Sequence, residues 1–254
     1  MPVCPTLGVA TDRSSGRAIR GVQAQGTQLP STVMRLRKLV RRALPGRIAS
    51  RLRKRRLGSG AHRGYVGGNW QQVGRLQFEF LVAHGLRPEH VLLDIACGSL
   101  RGGVHFIPYL DRGNYLGIDQ EEALIHRGCR QELPENVRGT KEPEFVVSDS
   151  FEFDRFSKVA DFSLAVSLFT HLIVRDVELC FGNLRAYVAP AHTFYASFRV
   201  GDSGQNPPES HPLKRFFYSP DELTAIAARN GWRSRHVGDW GHPRGQVMMQ
   251  FTPE

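Results

Sequence analysis

From residue 70 to residue 252 the chain switches repeatedly between two hydrophobic patterns. Trp70–His84 carries Val73, Leu76, Phe80 and Ala83 at helical spacing and stops at Gly85, which predicts an amphipathic helix. His90–Ile95 is a short apolar run between turn residues, with Asp94 near its end. The same reading predicts helices over Gly102–Leu110, Gln120–Gln131, Val174–Val188 and Pro220–Asn230, the last capped by Ser219. Strands are predicted at Tyr115–Ile118, Phe145–Ser148, Asp161–Ser167, Thr193–Phe198, Ser234–Gly238 and Gln246–Thr252.

Strands that alternate with helices imply an α/β fold with a mainly parallel sheet and helices on both faces. The last two strands have no helix between them. They are expected to pair antiparallel, because a parallel crossover needs a dozen or more residues. No internal repeat is present.

The first part of the chain has a different texture. Residues 1–32 are rich in Gly, Ser, Thr, Gln and Arg without apolar periodicity and are expected to be disordered. Across residues 33–56, Leu36, Val40, Leu44, Ile48 and Leu52 share one helical face among Arg and Lys, with a break at Pro45-Gly46. Such a basic amphipathic segment suits peripheral contact with an anionic membrane. The bland alternative is a solvated leader, and Met34 would serve as an alternative start. The expected division is a basic tail, 1–62, and a folded domain, 63–254.

Charge supports that division. Residues 1–62 hold 14 Lys and Arg against one acid, Asp12, so they carry +13 of a net +10. The remainder is slightly acidic, which gives no reason to expect a specific nucleic-acid surface. Cys4, Cys97, Cys129 and Cys180 form no C-x-x-C pair, so neither a disulfide framework nor a metal site is expected, and a cytoplasmic setting fits.

The chemistry is read from the strand ends, where ligands bind in a doubly wound sheet. Val91-Leu-Leu-Asp-Ile-Ala-Cys-Gly-Ser-Leu-Arg-Gly-Gly103 is a strand, an acid, a turn of small residues and a helix start. Tyr115-Leu-Gly-Ile-Asp-Gln120 ends in Asp119, 21 positions after Gly98, where a carboxylate can bind both hydroxyls of a ribose. Asp149 closes the third strand and Ser167 the fourth.

In this order, Leu-Leu-Asp-Ile-Ala-Cys-Gly-Ser, Leu-Gly-Ile-Asp, Val-Ser-Asp-Ser and Val-Ser-Leu-Phe-Thr-His-Leu resemble class I S-adenosylmethionine-dependent methyltransferases, most closely a bacterial small-molecule branch. The resemblance spans roughly residues 65–252 and takes in Asp239-Trp-Gly-His-Pro-Arg-Gly-Gln246. It implies a Rossmann-like seven-stranded sheet with an antiparallel last strand and S-adenosyl-L-methionine as cofactor. It assigns Asp94, Cys97, Gly98 and Ser99 to the methionine part and Asp119 to the ribose. Gln120 lies beside the adenine, Asp149 and Ser150 contact it, and Ser167 and Leu168 lie under the reacting methyl. One departure stands out: the family's acid-x-Gly-x-Gly-x-Gly loop keeps only Gly98, with Ala96 and Leu100 in place of its neighbours.

The acceptor implied is a small molecule, methylated at oxygen. His171 and His242 are the candidate bases, each with a structural alternative as a helix-capping or turn residue. Tyr65-Val-Gly-Gly-Asn-Trp70 suits a lid. Arg199, His211, Arg215 and Arg244 would favour an acidic acceptor. Two other readings compete. A nicotinamide-dependent oxidoreductase would need G-x-G-x-x-G where the chain has Ala-Cys-Gly-Ser-Leu-Arg. An inactive protein of this fold would dock on membrane or nucleic acid through its basic tail.

Overall fold

A computed structural model of the protein describes residues 61–254. The basic segment of residues 33–56, the tail before it and the expected membrane contact lie outside the described residues. Within them the elements are α1 (Ala61–Tyr65), α2 (Trp70–Ala83), β1 (Leu92–Ile95), α3 (Gly103–Tyr109), β2 (Tyr115–Asp119) and α4 (Glu122–Arg127). There follow α5 (Glu135–Lys141), β3 (Glu144–Val147), β4 (Phe162–Ala165), α6 (Val174–Tyr187), β5 (Thr193–Phe198), α7 (Pro220–Arg229), β6 (Trp232–Asp239) and β7 (Val247–Pro253).

The seven strands form one sheet in the order β3-β2-β1-β4-β5-β7-β6. β1 pairs parallel with β2 and β4, β2 with β3, and β4 with β5. β7 slots between β5 and β6, antiparallel to both. Both halves of the sequence expectation hold: a mainly parallel sheet, and an antiparallel pair at the chain's end. The order of strands reverses at β1 and β4, so the loops after these two strands diverge to opposite faces and leave a crevice at their carboxyl ends.

Alternation along β1 explains the two buried layers. Leu93 and Ile95 face a layer with Leu116, Ile118, Phe181, Phe194, Trp232 and Phe251, packed under α6 and α7. Leu92 faces the other layer, with Leu81, Phe106, Tyr115, Leu164 and Met248, under α2 and α3. Apolar surface removed from water on both faces supplies the main driving force, at roughly 25 cal/mol per Å². α7 begins with a full capping box: Ser219 Oγ accepts from the Glu222 amide at 3.0 Å, and Glu222 Oε2 accepts from the Ser219 amide at 2.7 Å.

Two elements differ from the sequence reading. The helix expected over Gln120–Gln131 is α-helical only at Glu122–Arg127, then continues as a π-helical turn, Gly128–Glu132. The reason is steric. A Cβ on Gly128 would stand 2.6 Å from the carbonyl carbon and oxygen of Ser99, so the widened turn seats this residue directly on the loop after β1. The second difference is α5, which the sequence did not suggest. It has no buried residue, so no apolar stripe marks it.

His62 falls on the tail side of the expected boundary, yet it is buried. It is bonded to Glu132, which also accepts two bonds from Arg63, at 2.8 and 2.6 Å. Packing therefore extends at least one residue before Arg63. Among the described residues no helix is long and apolar enough to cross a membrane, and no cluster of His, Cys, Asp and Glu suits a metal ion.

Candidate active site at the carboxyl edge of the sheet

Asp94 and Asp119 project from the same face of neighbouring strands. Asp94 is paired with Gly117 in the β1–β2 ladder, and Tyr115, Gly117 and Asp119 alternate onto one side of β2. The hydroxyl of Tyr115 donates to Asp94 Oδ2 at 2.7 Å. Gly117 is required between them. A Cβ there would stand 2.8 Å from the Phe145 ring and 3.1 Å from Cys97 Sγ.

Burial raises the Asp94 carboxyl to about 7, against the opposing effects of the Tyr115 bond and the Arg101 charge. Burial also raises Asp119, to about 6, although the amides of Glu121 and Gly98 hold its charge. These two bonds are geometric fixtures. Gly98 N donates to Asp119 Oδ2 at 2.9 Å, and Glu121 N to Oδ1 at 2.8 Å. The Gln120 amide also favours the charged form, and with about four acceptor positions the carboxylate retains acceptor capacity for a ligand hydroxyl.

The loop after β1 keeps a left-handed backbone at the positions where two glycines are missing. Ala96, Gly98 and Leu100 all adopt left-handed backbone, with φ of 61°, 56° and 66°. The conformation that glycines would favour is therefore kept without two of them, at a cost of roughly 1–2 kcal/mol for each non-glycine residue. Leu100 offsets its cost by burying its side chain completely. A Cβ on Gly98 would stand 2.9 Å from Val66 Cγ1, so a larger residue there would also displace the Val66 side chain.

The other sequence-nominated residues fall into three groups. Cys97 is buried in the apolar layer under α2 and α3, its thiol pushed well above its usual range by burial, so it presents backbone rather than sulfur to the loop. Ser99 is fully buried and its Oγ has no hydrogen-bond partner. Gln120 and Asp149 are exposed at the ends of β2 and β3, with Ser150 half-buried beside them. The Ser150 carbonyl accepts from Asn183 of α6 at 2.9 Å, which ties this loop down.

Ser167 has left-handed backbone too, at φ 64°, and sits in a polar network. Its amide donates to Ser197 Oγ at 2.8 Å, Ser197 Oγ donates to Gln246 Oε1 at 2.7 Å, and Gln246 Nε2 donates to Ser167 Oγ at 2.9 Å. Leu168 packs against the layer under α6. Gln246 and Ser197 were not singled out from sequence as site residues. Both lie at ends of adjacent strands, but only the interposed antiparallel β7 brings them together.

The two histidines differ. His171 Nδ1 donates to the Lys214 carbonyl at 2.8 Å, and the His171 carbonyl accepts from the His211 amide at 2.9 Å, so His171 anchors the loop 211–214. His242 is buried and stacked on Trp240 with ring centroids 5.3 Å apart. Its Nδ1 accepts from the Arg244 amide at 3.2 Å. Burial first, and then Arg101, Arg244 and Arg199, lower its pKa to about 4, so at neutral pH it is uncharged with its proton on Nε2.

The expected lid segment packs over this edge. Arg101 Nη1 donates to the Val66 carbonyl at 2.8 Å, and Arg244 Nη2 donates to the Gly67 carbonyl. Trp70 is buried beneath it, with the Arg63 guanidinium 5.4 Å from its ring centroid.

This architecture is shared with solved proteins. A glycopeptide N-methyltransferase, MtfA, complexed with S-adenosylmethionine superposes with a TM-score of 0.57 at 13% identity, over 71% of this chain and 94% of its own. Magnesium protoporphyrin IX methyltransferase from Synechocystis, with the same compound bound, gives 0.56 at 14% identity, over 91% and 100%. The complex of DhpI with S-adenosylhomocysteine gives 0.52 at 22% identity, over 72% and 84%. The chain has the class I methyltransferase fold. No family model matches it. Within the methyltransferase fold, the crevice around Asp94, Gly98 and Asp119 lies at the sheet's switch point, where such a fold accommodates ligands.

Proposed function

We propose that the protein is an S-adenosyl-L-methionine-dependent methyltransferase acting on an oxygen of a small molecule. The observation that carries the reading is the Asp119–Gly98 bond. It holds a strand-end carboxylate against the backbone amide of Gly98, which suits a ribose bound at the strand end beside the loop. The orphaned Ser99 hydroxyl is a further buried polar group in the same loop. The residues present therefore fit the nucleoside.

Asp119 would accept the ribose hydroxyls, with Gln120, Asp149 and Ser150 at the adenine end. Asp94 would face the cationic methionine end, its charge supported by Tyr115. The backbone of Cys97, Gly98 and Ser99 would approach that end without steric conflict. Ser167 and Leu168 would lie near the transferred methyl, with the Ser197–Gln246 network fixing their backbone. When bound, S-adenosylmethionine supplies a methyl group activated by a sulfonium leaving group, and the protein contributes placement and electrostatics. Of the two candidate bases, His171 donates its Nδ1–H to the Lys214 carbonyl, which leaves Nε2 as its unprotonated nitrogen, whereas the unprotonated Nδ1 of His242 is occupied by the Arg244 amide.

The nicotinamide alternative lacks its phosphate-binding glycine pattern. The test is calorimetric titration of the full chain with S-adenosylhomocysteine and, separately, with NADH. Binding of the first and not the second is expected. Binding of neither would favour the inactive alternative.

A further inference from the structure

We propose that the methyl acceptor is a small anion, a carboxylate or phosphoryl compound, held by Arg101, Arg199 and Arg244. This deepens the methyltransferase reading and rests on it.

The three arginines come from separate parts of the chain and meet at the edge where the acceptor must enter. Arg101 leaves the loop after β1, Arg199 follows β5 directly, and Arg244 lies in the β6–β7 connection. A point one Cβ length from Gly67 is 3.1 Å from Arg244 Nη1 and 3.7 Å from Arg101 Nη1. Arg199 Nη1 donates to the Arg244 carbonyl at 3.2 Å. Burial first, and then the charges of Arg215 and Arg244, depress the Arg199 pKa.

Like charges are not gathered this way without a counter-charge, because each one raises the energy of the others. Among the described residues, none of these arginines belongs to an ion pair. The acid that Arg101 feels is Asp94, which is itself committed to Tyr115. A guanidinium has five N–H donors, and the bonds named above use one of them on each arginine, all to backbone carbonyls. Arg199 Nε is buried with no partner at all. The buried His242 adds an Nε2–H donor and no negative charge. The site is thus rich in forked donors that match the planar oxygens of a carboxylate or the oxygens of a phosphoryl group.

Burial argues for size. His242 is 5% exposed, which suits a small recessed anion rather than a polymer backbone. An anionic oxygen also removes the need for a base. Its lone pair forms the new C–O bond, the C–S pair stays on sulfur, and the negative and sulfonium charges cancel with no proton moved.

The test uses the full chain, with and without saturating S-adenosylhomocysteine, titrated calorimetrically with sodium phosphate and with sodium malonate at ionic strength held constant by NaCl. Saturable binding of at least one anion is expected, weakened about ten-fold or more in Arg199→Gln and Arg244→Gln. Arg244→Lys should retain part of the affinity, and nucleoside affinity should stay within about three-fold. Phosphate against malonate distinguishes the phosphoryl from the carboxylate source. Binding of neither anion, or binding unaffected by both glutamine variants, overturns the proposal. If the parent fails to bind the nucleoside in either series, the methyltransferase reading is what fails.

Discussion

The hydroxyl of Tyr115 is bonded to Asp94 across adjacent strands, on the side of β2 that also carries Asp119 with its bond from Gly98. The Tyr115 bond favours the Asp94 carboxylate, whereas burial opposes it and wins, leaving the group near 7. In the free protein, the folded state holds a proton between about pH 4 and 7 that the unfolded chain would release. This group therefore lowers stability as pH rises through that window and has no further effect above it. A cationic ligand reverses the preference. Affinity for S-adenosylmethionine should rise from pH 5.5 to about 7.5 and then level off, with Asp119 contributing the lower part near 6. Tyr115→Phe should move the midpoint up by about half a unit to one unit. Calorimetric affinities between pH 5.5 and 8.5 check this, and an unmoved midpoint would contradict it.

The left-handed loop gives opposite expectations for two superficially similar changes. Ala96→Gly relieves backbone strain and removes one methyl, so it should leave stability unchanged or raise it by about 0.5–1 kcal/mol. Leu100→Gly relieves similar strain but deletes a fully buried side chain, and should cost about 2–4 kcal/mol. Denaturant midpoints measure both. Equal effects would mean that burial of the Leu100 side chain does not offset the strain of its backbone.

Gln246 ties Ser167 to Ser197 through both ends of its amide. Gln246→Ala leaves a buried serine hydroxyl without its acceptor and should cost about 1–3 kcal/mol. Gln246→Glu puts a carboxyl in a site that is 2% exposed, so at neutral pH it should destabilise at least as much as the alanine variant, and less once acid protonates the carboxyl and restores a donor. Thermal unfolding of the three proteins would reveal a different order.

His192 reports on acid stability independently of the site. It is buried, its Nδ1 donates to the Ala160 carbonyl at 2.9 Å, and burial lowers its pKa to about 4. The unfolded chain takes up a proton between pH 6.5 and 4 that the fold resists. Its contribution, up to about 3 kcal/mol, is present above pH 6.5 and is lost as pH falls through that window. His192→Asn can keep the bond to Ala160 and remove the titration. It should flatten the stability profile between pH 6.5 and 4, as urea unfolding at several pH values would show.

Much of this was legible in the residues. Trp70–His84, the five parallel strands and the antiparallel ending follow from apolar periodicity because each element buries a face. α5 was missed because it buries none. The strand-end position of Asp119 was legible, whereas the bond of Tyr115, on the same side of β2, to Asp94 was not. The signal was available, since residues two and four apart on β2 share a side. The glycine-poor loop stood out as a departure because residue type is visible in sequence and φ is not. Arg199 and Arg244 could be named individually, whereas their meeting with Arg101 depends on the insertion of β7 next to β5. Gln246 depends on the same insertion.

The account rests on Asp119 and its neighbours forming a nucleoside site. Calorimetric titration of S-adenosylhomocysteine into the parent and into Asp119→Ala tests this most directly, with circular dichroism verifying the fold of both. The parent should bind, and the variant should be weaker by about 100-fold, as expected for two hydrogen bonds to a charged acceptor. A folded variant that binds as tightly as the parent would contradict the account.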